Sequence, residues 1–273
     1  MPKKLDKNKE INLRKKSLSE YSSLDFKIPV EQPDYRTHSD FVLEKIGLIM
    51  KARIDAHTNK IMLNTNLKLG LPMENINKIA GPIVEAWACE VFSDTLQNKD
   101  NVYKLMHVET CERLNMSDVI LQFKIESKKQ FGVTANVDVK ATSQDIEDSG
   151  KSPNITSFAR IRSMYIADPD YMFVILSLKH KLYSVRNEVT TMMDAIMEIV
   201  SYNAYDLKYL SNKDISYNPA LGTGQIQVRD IHYVDIEYRD VWEFCQMLDK
   251  KFISSKKGFN EWLKLAKKYE WIK

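Results

Sequence analysis

Cysteines, histidine pairs and long apolar runs are scarce in this chain of 273 residues, and each scarcity excludes a class of protein. The three cysteines, Cys89, Cys111 and Cys245, lie far apart without a CxxC pair. We therefore expect reduced thiols in a cytoplasmic protein and no disulfide framework. No apolar stretch approaches the roughly 20 residues that cross a bilayer. The charged N-terminus lacks the apolar segment of a secretory signal. The five histidines show no metal-ligand spacing.

Opposite charges nearly cancel over the whole chain, and the net charge of +3 does not by itself indicate a nucleic-acid partner. The distribution is more informative, because residues 1–16 carry seven basic side chains against two acidic ones. Such an arm could follow phosphates or be a solvated tail, and the sequence leaves both open. We predict a flexible basic extension over residues 1–24 and a single domain over residues 25–273.

Hydrophobic periodicity predicts alternating helices and strands, hence an α/β domain. A near-continuous apolar run over residues 171–178 is typical of a central strand buried on both faces. Further strands are predicted over residues 117–124, 131–142, 193–202 and 225–233. Helices are predicted over residues 39–53, 82–96, 156–166, 238–252 and 259–269.

The triplet Asp138-Val139-Lys140 on one predicted strand is the most informative local feature. Residues two apart share a face of a strand, so Asp138 and Lys140 point one way and Val139 the other. The polar residues 126–130 predict a hairpin that brings Asp118, at the head of the preceding strand, opposite Asp138 or Lys140. A register slip of one residue would turn Asp118 to the wrong face. Two carboxylates and a lysine at one edge are what metal-dependent phosphodiester cleavage needs, although a solvated strand face looks similar.

Glu85 lies in the helix predicted over residues 82–96, which is apolar nearly all round. An acid is unexpected there. It could face the carboxylate site or share a narrow solvent face with Glu90, and the sequence leaves the choice open.

Two glycine-containing loops, residues 148–157 and 217–227, concentrate Asn, Gln, Ser and Thr. Their amide and hydroxyl groups could pair with base edges, and glycine would allow close approach to DNA. Two ordinary polar turns would look the same. Gly222-Thr223-Gly224 is not a phosphate-binding loop, because no Gly-Lys-Ser/Thr follows.

The pattern Asp118…Asp138-Val139-Lys140 resembles the PD-(D/E)xK nuclease motif, with Ser117 at the variable proline position. Longer segments resemble the blunt-cutting type II restriction endonucleases of the HincII and HpaI kind, HpaI more closely. The resemblance covers nearly everything after about residue 24. Its segments are DVKAT (138–142), SPNITS (152–157), GLPMENIN (70–77), GPIVEAW (81–87), ITSFARIR (155–162), DISYNPALGTG (214–224) and GQIQVRD (224–230).

This resemblance implies a PD-(D/E)xK restriction-endonuclease-like core, a mixed central sheet flanked by helices. It also implies a homodimer that cuts a six-base-pair palindrome in duplex DNA, GTTAAC by similarity to HpaI, leaving blunt ends and a 5′-phosphate. A methyltransferase would belong to the same restriction system.

The roles follow from the same resemblance. Asp118, Asp138 and the Val139 carbonyl would hold Mg²⁺, with Lys140 at the attacking water and Glu85 as a further catalytic candidate. Base contacts are expected from the two loops, and phosphate contacts from three basic residues. The base-contact candidates are Ser152, Asn154, Thr156, Asn218, Gly222, Thr223, Gln225 and Gln227. The phosphate-contact candidates are Lys151, Arg160 and Arg162.

Two alternatives remain open on the sequence. A structure-specific PD-(D/E)xK nuclease of repair or recombination would cut branched or damaged DNA without a fixed set of fragments. A DNA-binding relative without chemistry would have no need of Asp118, Asp138 and Lys140 together.

Overall fold

A mixed sheet with helices on both faces forms the centre of the structure, a computed structural model that describes residues 7–76, 78–112, 115–125, 132–220 and 222–273. The helices in these ranges are α1 (Lys7–Ser22), α2 (Tyr35–Asp55), α3 (Met73–Ile76), α4 (Ala80–Gln97), α5 (Phe158–Ala167), α6 (Val241–Ile253) and α7 (Gly258–Lys268), with a 3-10 turn at Leu207–Tyr209. The strands are β1 (Lys60–Leu63), β2 (Leu105–Thr110), β3 (Val119–Lys124), β4 (Gly132–Ser143), β5 (Asn154–Ser157), β6 (Met172–Arg186), β7 (Met193–Asp206), β8 (Ile215–Asn218) and β9 (Gln225–Val228).

Strand β6 divides the hydrophobic core into two layers. Val174 and Leu176 pack with α2 and α4 on one side of the sheet, which we call the first core layer. Phe173 and Ile175 pack with α5, α6 and α7 on the other side, the second core layer. This alternation follows from the period of two along a strand. The apolar run that predicted a strand buried on both faces is thereby confirmed.

Strand β4 lies between an antiparallel and a parallel neighbour. The described strands of the large sheet run in the order β1-β7-β6-β4-β3-β2, and the β4–β6 pair is parallel while the other pairs are antiparallel. The chain between β4 and β6 contains β5 and α5, which supply the crossover that a parallel pair requires. The mixed α/β fold predicted from the sequence is confirmed.

A small sheet of strands β5, β9 and β8 packs through its apolar side on the second core layer. Ile155, Ile226 and Val228 are buried there beside α6 and α7. The predicted strand over residues 225–233 ends at Val228, because Arg229 and its neighbours turn to bond with Ser152 and Asp214.

The extension predicted to be flexible over residues 1–24 contains a helix over most of its length. Residues Lys7–Ser22 form α1, and Tyr21 is buried at its end, where its ring contacts Phe26 and Trp262. The sequence offered little sign of this, because one buried aromatic side chain makes no periodic stripe. Residues 1–6 lie outside the described residues, as does the predicted turn over residues 126–130.

Candidate active site

The β3–β4 hairpin places Asp118 beside Asp138. Val119 pairs with Val137. When this register is continued by one residue, Asp118 lies across from Asp138. The Asp118 N–H donates to the Val137 carbonyl at 2.9 Å, and the Val139 N–H donates to Asp118 Oδ2 at 2.6 Å. A slip of one residue does not occur, because Val119 and Val137 are both fully buried in the first core layer and fix which face is inward.

Asp138 and Lys140 project together from the side of β4 opposite the first core layer. Val137 and Val139 are both completely buried in that layer. On the other side, Lys140 Nζ donates to Asp138 Oδ1 at 2.8 Å. Asp138 and Lys140 therefore share one face of β4, as the sequence predicts.

Asp138 is a buried carboxyl group that its protein neighbours satisfy only in part. It is 5% exposed, and its Oδ2 has no hydrogen-bond partner among the described residues. Burial raises the pKa of Asp138 to about 7 despite the opposing effect of Lys140, and the nearby charges of Asp118 and Glu85 add to the rise. An ionised Asp138 therefore needs additional positive charge, which is the electrostatic demand of a cation site.

Glu85 on α4 lies within electrostatic range of this site. It is half-buried, unlike the exposed Glu90. Burial raises the pKa of Glu85, Asp118 raises it further, and Lys140 lowers it. The charges of Asp118 and Lys140 thus act on Glu85, which favours the first of the two orientations that the sequence left open.

Two thiols near Asp118 were missed by the sequence reasoning. Cys89 lies one helical turn after Glu85, and burial together with the charge of Asp118 raises its pKa to about 11. The Cys111 N–H donates to the Asp118 carbonyl at 2.9 Å. The four-residue spacing from Glu85 to Cys89 could have indicated a shared helix face.

In the described ranges, no group of three or more His, Cys, Asp or Glu side chains is arranged to hold a metal ion. A cation at Asp118 and Asp138 would therefore take its remaining ligands from main-chain, water or DNA oxygens. An oxygen-rich site with few protein ligands is the kind that Mg²⁺ prefers.

The small sheet joins the two polar loops that the sequence singled out. Asn154 pairs with Gln227, Ser157 with Gln225, Gln227 with Ser216, and Gln225 with Asn218. Paired residues of antiparallel strands point to the same side, so these six side chains share one side of the sheet. We call this set the polar face of the small sheet. It contains the candidates Asn154, Asn218, Gln225 and Gln227.

The turn between β8 and β9 is held from both directions. The Tyr217 hydroxyl donates to the Thr223 carbonyl at 2.8 Å, and Lys257 Nζ donates to the Gly222 carbonyl at 3.1 Å. Gly224 has a φ of +91°, and a Cβ there would lie 2.1 Å from the Tyr217 hydroxyl. Only glycine fits at this position.

Two predicted DNA contacts are wrong in this structure. Arg162 is completely buried, where its Nε donates to both Asp249 oxygens at 3.2 Å, so it cannot reach a phosphate. Thr156 is 5% exposed because the irregular β5–β9 pairing at Ile155 turns it inward. Neither side chain is available to DNA.

The other loop candidates are accessible. Ser152, Gly222 and Arg160 are exposed, and Thr223 is half-buried with its hydroxyl 2.9 Å from that of Ser157. Lys151 is also exposed, but its Nζ is paired with Asp148 at 2.6 Å. A phosphate would have to compete with that carboxylate.

Comparison with known proteins gives the family. Residues 22–270 match the family model for the type II restriction endonuclease HpaI. This chain belongs to the HpaI family of type II restriction endonucleases. It is 55% identical over 258 residues to the type II restriction enzyme HpaI of Haemophilus parainfluenzae, an alignment that covers 93% of this chain and 99% of that enzyme.

A solved structure was also matched, that of the NlaIV restriction endonuclease. The match has a TM-score of 0.36 and 14% identity, covering 71% of this chain and 72% of that one. Within the described residues, no helix of this HpaI-family chain is long and apolar enough to cross a membrane.

Proposed function

We propose that this HpaI-family endonuclease cleaves duplex DNA at a short palindrome with Mg²⁺ as its cofactor. The observation that carries the proposal is the placement of Asp118, Asp138 and Lys140 at one end of the β3–β4 hairpin, in a chain 55% identical to HpaI. By that likeness the target is GTTAAC, cut in the middle to leave blunt ends and a 5′-phosphate.

The donor atoms at the hairpin end suit a divalent cation. Asp138 Oδ2 is buried without a partner in the described residues, and Asp118 lies beside it. The N–H and carbonyl of a strand residue point to the same side of the strand. Because the Val139 N–H meets Asp118, the Val139 carbonyl is directed to that side too. A bound Mg²⁺ would supply charge to a phosphoryl oxygen and acidify water.

Lys140 would orient the attacking water and stabilise negative charge on the phosphate. Its Nζ is fixed by Asp138 Oδ1 at 2.8 Å, so the ammonium group is held at the carboxylates and does not swing in solvent. Glu85 would add negative charge near the site, so a cation would be bound more strongly than by Asp118 and Asp138 alone. Attack in line with the leaving 3′-oxygen then yields a 3′-hydroxyl and a 5′-phosphate.

The polar face of the small sheet would read bases, with Ser152, Gly222 and Thr223 beside it. Lys151 and Arg160 would contact phosphates and set the register without reading sequence. A homodimer would present this face twice to the two halves of a palindrome. A methyltransferase of the same restriction system would protect the host site in the cytoplasm.

Digestion of a plasmid of known sequence, with and without Mg²⁺, tests the proposal once the cut ends are sequenced. Discrete fragments ending bluntly within GTTAAC, formed only with the metal, are expected. Fragments at another palindrome would remove the target and keep the chemistry. Cutting confined to branched DNA would favour a structure-specific nuclease, and tight binding without cutting would favour a DNA-binding relative.

A further inference from the structure

Asn154 and Gln227 are joined by a hydrogen bond on the polar face of the small sheet. They face each other across β5 and β9, with Ile226 and Val228 buried on the opposite side. Gln227 Nε2 donates to Asn154 Oδ1 at 2.9 Å and to the Ser152 carbonyl at 3.0 Å. The two amides therefore form a fixed pair before any ligand arrives.

The hydrogen bonds decide what each amide can still offer. A primary amide nitrogen carries two hydrogens, and both of those on Gln227 are used. A flipped Gln227 amide would set its oxygen against two acceptors, the Ser152 carbonyl and Asn154 Oδ1, so its orientation is determined. Gln227 can present only the acceptor Oε1 outward. Asn154 has its oxygen engaged and presents the donor Nδ2.

The support beneath the pair is rigid. Ser152 has a φ of +51°, an uncommon conformation for a residue other than glycine, and its N–H donates to the Arg229 carbonyl at 2.9 Å. This bond holds Ser152 in place, and with it the Ser152 carbonyl that orients the Gln227 amide. Side chains held in advance lose less entropy on binding than mobile ones, which sharpens discrimination.

We propose that Asn154 and Gln227 form one composite reading unit for the major-groove edge of a single adenine, which deepens and rests on the proposed function. Asn154 Nδ2 donates to adenine N7, and Gln227 Oε1 accepts from the adenine N6 amino group. An adenine edge offers one acceptor and one donor, whereas a guanine edge offers two acceptors. The single donor and single acceptor of the unit match adenine and oppose guanine. Gln227 is in addition the positioning residue for Asn154.

A double-mutant cycle tests whether the two amides act as one. Cleavage rates of Asn154→Ala, Gln227→Ala and the double variant are measured on duplexes in which each base pair of the site is changed singly. Both single variants should lose discrimination at the same base pair, by about 10- to 100-fold. The double variant should lose no more than the worse single one, because groups that act as a unit are not additive. Losses at two different base pairs, or losses that multiply, would overturn the unit.

Adenine analogues assign the two contacts separately. With 7-deazaadenine at that position the unaltered enzyme should slow by about tenfold, and Asn154→Ala should be indifferent to the change. With purine, which lacks the 6-amino group, Asn154→Ala should still respond. Gln227→Ala should respond to neither analogue, because it loses the acceptor and releases Asn154. Sensitivity to 7-deazaadenine that survives in Gln227→Ala contradicts the positioning role.

Gln225→Ala serves as the matched comparison, since it removes an amide two residues away on the same face. Combined with Asn154→Ala, its effect should multiply as for independent sites. Thermal unfolding of each variant separates a reading defect from a folding defect. If the unaltered enzyme itself does not discriminate between sites, the proposed function fails. If it discriminates but the variants behave independently, only the composite unit fails.

Discussion

Two buried carboxylates, Asp138 and Asp249, each lie beside a basic residue, and their surroundings differ in one respect. Asp249 accepts hydrogen bonds at both oxygens, from Arg162, from Trp262 Nε1 at 2.9 Å and from the Tyr21 hydroxyl at 3.0 Å. Asp138 accepts one from Lys140, while its Oδ2 has no partner in the described residues. The hydrogen bonding of the Asp249 carboxylate is thus satisfied by the protein, whereas that of Asp138 is satisfied only in part.

The comparison separates a structural role from a functional one. A buried charge is tolerated when its hydrogen bonds are satisfied, and an unsatisfied one costs stability. The protein satisfies Asp249 with residues from α1, α5 and α7, so the group, itself on α6, ties four helices together. At Asp138 the unsatisfied oxygen is retained, which is expected of a site that takes a ligand during turnover.

Lys140→Ala has the largest expected effect, because it removes the only side-chain partner of Asp138 in the described residues. Cleavage of the specific site should fall by about 10²- to 10⁴-fold, the usual loss for a group acting on the attacking water. Binding of the same duplex should persist, since the small sheet is untouched. Single-turnover cleavage and gel-shift titration on one oligonucleotide measure both.

Lys181→Ala is the control for Lys140→Ala, because Lys181 pairs with Glu198 on a more exposed part of β6. It should cleave at the normal rate. If Lys140→Ala lost DNA binding together with cleavage, Lys140 would be a structural residue. Its ion pair with Asp138 would then have the same role as the Arg162–Asp249 pair.

The Asp138 half of this comparison could be predicted from the sequence because its signals are local. Alternation along β4 puts Asp138 and Lys140 on one face, and a short polar separator between two apolar runs predicts the hairpin that brings in Asp118. The longest strands and the helices α2 and α4 were found for the same reason. The helix α6 also carries a local start pattern, the capping box of Asp240 and Glu243, which narrows its beginning to Val241.

The other half depends on contacts distant along the chain. Arg162 and Asp249 are 87 residues apart, and no local pattern distinguishes an arginine on a buried helix face from one that meets phosphate. The pairing of Asn154 with Gln227 spans 73 residues. Each loop could therefore be predicted separately from its composition, but the pairing of the two loops in one sheet could not. Four-residue strands such as β1 and β8 are too short to show a period.

Asp249→Ala should destabilise the fold more than any other of these substitutions. It would leave Arg162 buried without its counter-charge and remove the acceptor for Trp262 and Tyr21. Breaking a buried pair on one side costs about 3–5 kcal/mol. Denaturant unfolding should show this loss, while cleavage per folded molecule stays near normal. Glu261→Ala, which breaks the exposed Lys264–Glu261 pair, should leave the unfolding midpoint unchanged.

Loss of cleavage in Asp249→Ala at temperatures where the protein remains folded would weaken the contrast between the two sites. It would mean that the four-helix tie also shapes the catalytic edge. A midpoint unchanged in Asp249→Ala would show instead that its hydrogen bonds are replaced easily, and Asp249 would not be a group that the fold depends on.

Asp138→Asn should stabilise the metal-free protein at neutral pH, although it removes a proposed metal ligand. The folded pKa of Asp138, about 7, lies above the ordinary 3.8, so ionising this group disfavours the folded state. Below pH 4 the carboxyl is protonated in both states, and the enzyme and variant should unfold alike. As the pH rises from about 4 to 7 the unaltered enzyme should lose stability relative to the variant, and above 7 the difference should be constant.

Thermal unfolding in EDTA from pH 4 to 8 measures this difference, which should be smallest at the acid end and largest above pH 7. Adding Mg²⁺ at pH 8 should raise the midpoint of the unaltered enzyme and not that of the variant. A variant less stable than the enzyme at pH 8 without metal would mean that the ion pair with Lys140 outweighs burial. Asp138 would then be as well satisfied as Asp249, and the electrostatic argument for a cation at this edge would fail.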